Sequence, residues 1–275
     1  MDVPELIKKE GLRRGLSPRT IKTYSYCVGR FLNHYKKDVN KITKGDVKDY
    51  MDNLIERKNA GNTLNVNLNS IKFFLENILG KRLLYNIKYS KVPKTLPTVL
   101  TKEEAIKLFE SIRNEKHRLL AELMYSAGLR VNELVNLRVM DFEFKKNYGW
   151  VRKGKGNKDR LFIIAEKINK RLQEFIKENN LNYESYLFKG NKRNHISKET
   201  INMIIKTAAK KAGIKKRVHC HTLRHSFATH LIEDGYSVNE VQSLLGHKSP
   251  ETTMVYVHMA SPKMISIKSP LDNLN

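Results

Sequence analysis

The sequence predicts a mainly α-helical protein with one small β-hairpin or sheet (α+β), divided into two domains. Three observations lead there. Apolar residues recur at helical spacing through most of the 275 residues, helix-capping side chains stand where those patterns begin, and one lysine-rich, proline-broken stretch interrupts them.

The elements follow in order. Ser17-Pro18 pairs an N-cap with proline at the first helical position, and Ile21, Tyr24, Val28, Phe31, Leu32 and Tyr35 then mark one face of a helix. Thr43, with Asp46 three residues on, has the form of a capping box and opens a second helix through about Arg57. Asn62 is placed to cap a third, which would bury Ile71, Phe74, Leu75 and Ile78. Residues 1–85 are therefore expected to form a helical bundle. In NIKYSKVPKTLPTVL (86–100), Pro93 and Pro97 interrupt any regular element and lysines replace core residues, so 86–97 reads as a linker. A second domain is expected over 98–275, opened by a capping box from Thr101 to Glu104. Its one β signal is GWVRKGKGNKDRLFIIA (149–165), two strand-like runs around the turn residues GKGN, and helical patterns resume on either side.

The net charge of +24 and pI of about 9.9 call for a polyanionic partner, nucleic acid being the commonest. The charge is not a tail: residues 1–90 carry 18 Lys and Arg against 9 Asp and Glu, leaving 34 against 19 for the rest. Only Cys27 and Cys220 occur, too few for a disulfide framework. No apolar run reaches membrane-spanning length, and MDVPELIKKE lacks the apolar core of a signal peptide, so a cytoplasmic protein without a membrane partner is expected.

The chemistry concentrates in HCHTLRHSFATH (219–230). His221 and His225, four apart on a helix, could share a metal, but no acidic residue stands between them and Arg224 lies beside them. A phosphate suits the stretch better. Arg224 offers a planar fork for two phosphate oxygens, and His221 one turn away can donate a hydrogen bond. Leu223, Phe227 and Leu231 would anchor the helix, leaving His225 and His230 as packing or supporting groups.

HTLRHSFATHL, followed by LLGHKSPETTMVYVH (244–258) and preceded by SAGLRVNEL (126–134) and GKGNKDR (154–160), resembles the tyrosine recombinases, and most closely the Xer-type enzymes. The resemblance implies a catalytic set of Arg130, Lys155, His221, Arg224 and His247, with Tyr256 as nucleophile nine residues after that histidine. Each has a plainer reading. Arg130 could simply pair with Glu133, Lys153 and Lys158 compete with Lys155, His247 could complement a helix dipole, and Tyr256 alone reads as a core tyrosine. Together they make chemical sense. Arginines and histidines hold the charge that builds on the phosphate oxygens, a tyrosine of reference pKa near 10 attacks, and a lysine protonates the leaving 5′ oxygen.

The resemblance further implies cutting and rejoining of DNA through a 3′-phosphotyrosine, with no metal, ATP or cofactor, and a role in resolving chromosome dimers. The expected partner is double-stranded DNA carrying a specific site. A homotetramer would assemble on two sites, the free protein being monomer or dimer. The N-terminal domain would be the core DNA-binding domain, with Arg19 and Lys72 as candidate DNA contacts. Alternatives are an integrase or excisionase of a mobile element or virus, against which the absence of an extra arm-binding domain counts, and a non-catalytic DNA-binding module. The tail SPKMISIKSPLDNLN (261–275), broken by Pro262 and Pro270 yet rich in apolar residues, is expected to pack into a groove of a catalytic domain.

Overall fold

The computed structural model describes residues 2–81, 87–91, 96–152, 154, 159–190, 194–246, 249–257 and 259. The chain divides into two compact units, 1–95 and 96–275. The boundary falls within the stretch expected to link two domains; part of that linker, and the tail 261–275, lie outside the described residues.

Among its described residues the first unit has four α-helices and no strand: α1 (Val3–Arg13), α2 (Pro18–Tyr35), α3 (Lys44–Glu56) and α4 (Gly61–Lys72), which runs on as a π-helical turn over Phe73–Ile78. Ile7, Val28, Phe31, Val47, Leu54, Ile71, Phe74 and Leu75 form its core. The expected caps are present. Ser17 accepts from the Thr20 amide, and Thr43 and Asp46 exchange both bonds of a capping box. Asp46 also receives Lys37 Nζ at 2.6 Å, which with the Thr43 bonds pulls its pKa down to about 2. Two details differ from the sequence reading. α1, capped by Asp2 with a proline in its first turn, carried no apolar face long enough to stand out. Ala60, not Asn62, precedes α4 in an extended conformation, and Asn62 lies inside the first turn.

The second unit combines eight α-helices among its described residues with a three-stranded sheet: α5 (Lys102–Glu110), α6 (Glu115–Ser126), α7 (Val131–Asn136), β1 (Phe142–Glu143), β2 (Tyr148–Val151), β3 (Arg160–Ile163), α8 (Glu166–Glu178), α9 (Lys198–Lys211), α10 (Cys220–Glu233), α11 (Val238–Leu245) and α12 (Glu251–Val257). The fold class is thus the expected one, mainly α with a small sheet. β2 and β3 pair antiparallel with Trp150 opposite Leu161. A Cβ at Gly149 would overlap the Phe162 ring, so glycine at that position lets the ring close against the β2 backbone. β1, which pairs Phe142 with Gly149, adds a third strand. At two residues it is too short to show a period of its own.

α10 is the axis of this unit. Leu223, Phe227, Ala228 and Ile232 are buried, and so are Thr222, Ser226, Thr229 and His230. The expected stripe of Leu223, Phe227 and Leu231 was too narrow, since the helix is enclosed nearly all round and Leu231 is only partly covered. Ser226 Oγ accepts the Leu100 amide at 2.9 Å, and His230 bridges the Leu100 carbonyl (2.9 Å) and the Tyr125 hydroxyl (2.7 Å). The chain's entry into the second unit is thereby tied to the helix bearing His221 and Arg224, and His230 has a structural role.

Candidate active site

Four of the six residues implied as catalytic are described, and the fold gathers them around α10. Arg130 occupies the N-cap of α7. Its amide and its Nη1 both donate to the Glu133 carboxylate, at 2.9 and 2.8 Å. The pairing that could have been a bland surface bridge is a fixed support, because Glu133 is buried and also receives Arg160 Nη2 at 2.7 Å, with Arg224 Nη1 at 3.8 Å. Burial works against the Glu133 charge, but Arg160 and Arg130 outweigh it and hold the pKa below the ordinary glutamate value. One carboxylate thus organises three guanidiniums.

Arg224 points inward from α10. Nη1 donates to the Gly128 carbonyl at 2.5 Å and Nη2 to the Leu245 carbonyl at 2.6 Å. These bonds tie the helix to the loop before Arg130 and to the end of α11. Desolvation, with Arg130 nearby, lowers the Arg224 pKa to about 9, so it remains a cation at neutral pH. Such a guanidinium is pre-organised for an anion.

His221, in the first turn of α10, keeps an exposed edge. Desolvation first, then His219, Arg224 and Arg130, lower its pKa, so at neutral pH it is an uncharged imidazole able to donate one hydrogen bond. Tyr256 on α12 is buried in a small cluster with Phe227, Ala228, Ile232, Val241 and Leu245. Burial raises its pKa, while Arg224 and Arg130 pull the other way. Oη lies 3.0 Å from Nδ1 of His225. The sequence reading had left His225 as a supporting group of no stated partner.

Lys155 and His247 lie outside the described residues. Their neighbours Gly154 and Gly246 are described. Gly154 lines a cavity of about 350 Å³ together with Arg130, Glu133, Asp141 and Arg152. Gly246 closes α11 at φ 61, a left-handed conformation that favours glycine, with Arg160 packed against it. Arg160 was missed by sequence reasoning. It joins β3 to Glu133 and, through Nη1 at 2.5 Å, to the Leu244 carbonyl. Its place at the end of GKGNKDR was visible; its partners, 27 and 84 residues away, were not. In the first unit, Arg19 is exposed in the first turn of α2, and Lys72, partly buried at the end of α4, lies 3.9 Å from Glu76. Among the described residues no group of three or more His, Cys, Asp or Glu could hold a metal ion, and no described helix is long and apolar enough to cross a membrane.

Comparison with known proteins gives matching results for both units. Residues 98–262 match the Phage integrase family, and residues 7–84 match the phage integrase N-terminal SAM-like domain. The chain is 34% identical over 257 residues to a tyrosine recombinase of Thermosipho africanus, covering 89% of this chain and 90% of that protein. It is likewise 34% identical to tyrosine recombinase XerA of Pyrococcus furiosus, over 90% of this chain and 86% of the relative. Among solved structures, the fold resembles XerH bound to a palindromic difH substrate in a post-cleavage complex, with a TM-score of 0.74 at 24% identity, covering 96% of this chain and 83% of that one.

Proposed function

The chain belongs to the phage integrase family, the tyrosine recombinases, and from that premise we propose that it breaks and rejoins double-stranded DNA at a specific site with Tyr256 as nucleophile, Arg130, His221, Arg224 and His247 around the scissile phosphate, and Lys155 as general acid. Tyr256 Oη attacks phosphorus as its proton passes to solvent, the negative charge that develops on Oη and the phosphate oxygens being held by Arg130 and Arg224. The bond from phosphorus to the 5′ oxygen breaks, and Lys155 protonates that oxygen. The 3′-phosphotyrosine keeps the energy of the broken ester, so attack by a 5′ hydroxyl of the partner strand reseals DNA without ATP or metal. The observation that supports this reading best is that Arg130 and Arg224 converge on one buried carboxylate, Glu133, while Tyr256 packs on the helix that carries Arg224 and His221.

Homology to enzymes named XerA, XerC and XerD supports the finer reading that the protein resolves chromosome dimers. The XerH structures bound to difH support DNA as partner. We assign a tetramer on two sites, exchanging strands in pairs, with Arg19 and Lys72 of the first unit among the DNA contacts. Incubating the protein with total genomic DNA and sequencing the covalently attached strands tests this. One chromosomal locus is expected; recovery of the ends of an insertable element would mean a mobile-element integrase. Tyr256→Phe should bind the recovered duplex but form no adduct with a nicked suicide version of it, and a normal adduct yield would remove Tyr256 from its role. Lys155→Ala should be rescued by sulfur in place of the leaving 5′ oxygen. Rescue confined to a Lys153 or Lys158 variant would move the acid to that lysine.

A further inference from the structure

His225 follows Arg224 on α10, and its Nδ1 meets the Tyr256 hydroxyl at 3.0 Å with the two ring centroids 5.7 Å apart. Tyr256 is only 3% exposed, and a buried hydroxyl without a partner would be costly. The direction of this bond follows from the charges around it. Arg224 and Arg130 act on Tyr256 as cations, so they attract the lone pairs of Oη and turn its proton away from themselves. Desolvation, reinforced by the neighbouring His221, His219 and Arg224, brings the pKa of His225 down to about 4, so the ring is neutral near pH 7. A neutral ring with its proton on Nε2 offers the Nδ1 lone pair to the phenol.

We propose that His225 is the positioning residue of the nucleophile: Nδ1 accepts the Tyr256 hydroxyl proton as a hydrogen bond and so aims an oxygen lone pair toward the phosphate cradled by the arginines. Outright proton transfer to His225 before DNA arrives is disfavoured. Burial holds the Tyr256 phenol above its usual range while the His225 ring is brought down to about 4, so the proton stays on the phenol. What His225 supplies is orientation. The side chain is held for that task by its helix, whose next turns are locked by Phe227, Ala228 and the Ser226–Leu100 bond. A nucleophile free to rotate its hydroxyl, or to swing by an ångström, loses roughly a hundredfold in rate.

The inference rests on Tyr256 being the nucleophile, and the test separates the two. Full-length protein is saturated with a nicked suicide form of the duplex recovered by covalent capture. The single-turnover rate of adduct formation and the Kd for the same duplex are then measured for the parent, Tyr256→Phe, His225→Ala and His225→Asn. Asparagine places its Oδ1 about where histidine places Nδ1, so it keeps the acceptor and discards the ring. His225→Ala should react about 100-fold more slowly with Kd within about twofold of the parent, and His225→Asn should recover to within about fivefold. An alanine variant as fast as the parent, or faster, overturns the proposal, as does an asparagine variant no better than alanine. Should alanine fold poorly and lose DNA binding, the asparagine variant and the thermal melts of both decide: a His225→Asn protein that folds like the parent yet reacts as slowly as His225→Ala refutes positioning. Adduct formation by Tyr256→Phe would instead refute the assignment of the nucleophile.

Discussion

Replacing Gly128 by alanine should damage the catalytic unit in two separable ways. Gly128 sits at φ +56, and a Cβ there would overlap the Phe227 ring and approach Leu245 Cδ2 at 3.1 Å. The left-handed conformation costs a non-glycine residue about 1 kcal/mol, and forcing the phenyl ring aside in a packed core adds about 2 kcal/mol. Gly213, also left-handed at φ +70 but with nothing within 4 Å of its would-be Cβ, isolates the first of these costs. For a unit of this size each kcal/mol lowers Tm by about 2–4 °C, so Gly128→Ala should melt about 6–12 °C lower and Gly213→Ala about 2–4 °C lower. The functional effect should diverge further. The Gly128 carbonyl accepts from Arg224 Nη1, and a shifted carbonyl carries the guanidinium with it. Single-turnover adduct formation should therefore fall at least about tenfold for Gly128→Ala and stay unchanged for Gly213→Ala. Thermal unfolding by circular dichroism, beside the suicide-substrate assay, measures both. Equal losses for the two alanines would show that neither the Phe227 contact nor the carbonyl support of Arg224 matters.

Other outcomes follow from the same contacts. His225 has a folded pKa near 4 against about 6.5 unfolded. The unfolded chain thus binds the extra proton first, and stability present above pH 6.5 should be lost as pH falls toward 4, by up to about 3 kcal/mol from this group. Urea midpoints at pH 7.5 and 4.5 should lie closer together in His225→Asn, and an unchanged difference would contradict the assigned burial of the neutral ring. Arg160→Met removes a buried partner of Glu133 and strands the Leu244 carbonyl; because Arg130 still faces the carboxylate, a loss of about 2–3 kcal/mol is expected, with Arg160→Lys recovering only part of it, and a loss below about 0.5 kcal/mol in urea unfolding would count against the three-arginine arrangement. DNA affinity should drop steeply with salt, by roughly a thousandfold or more between 50 and 200 mM, whereas a flat dependence would deny the phosphate contacts inferred from the +24 charge. Deleting 261–275 should spare binding to one site and weaken recombination between two; full recombination would make the tail dispensable.

What the sequence by itself determined is local or compositional. Ser17, Thr43, Thr101 and the strand runs of 149–165 announce their elements because caps and turns are bonds between residues at most a few positions apart. The charge points to a polyanionic partner, and the motifs around Arg130, His221, Arg224 and Tyr256 carry the resemblance to the tyrosine recombinases. The same reading missed α1 and β1, and misplaced the cap of α4, where the local signal is weak or shared by neighbours. What only the tertiary structure decided are the partners of those residues. Arg224 meets Gly128 across 96 positions, Arg160 meets Glu133 across 27, and His225 meets Tyr256 across 31. No periodicity encodes such pairs. They form when the core of the second unit closes around α10, and burial then gives each the energy that makes it matter: a carbonyl or carboxylate taken out of water must find its cation, and a buried phenol its acceptor.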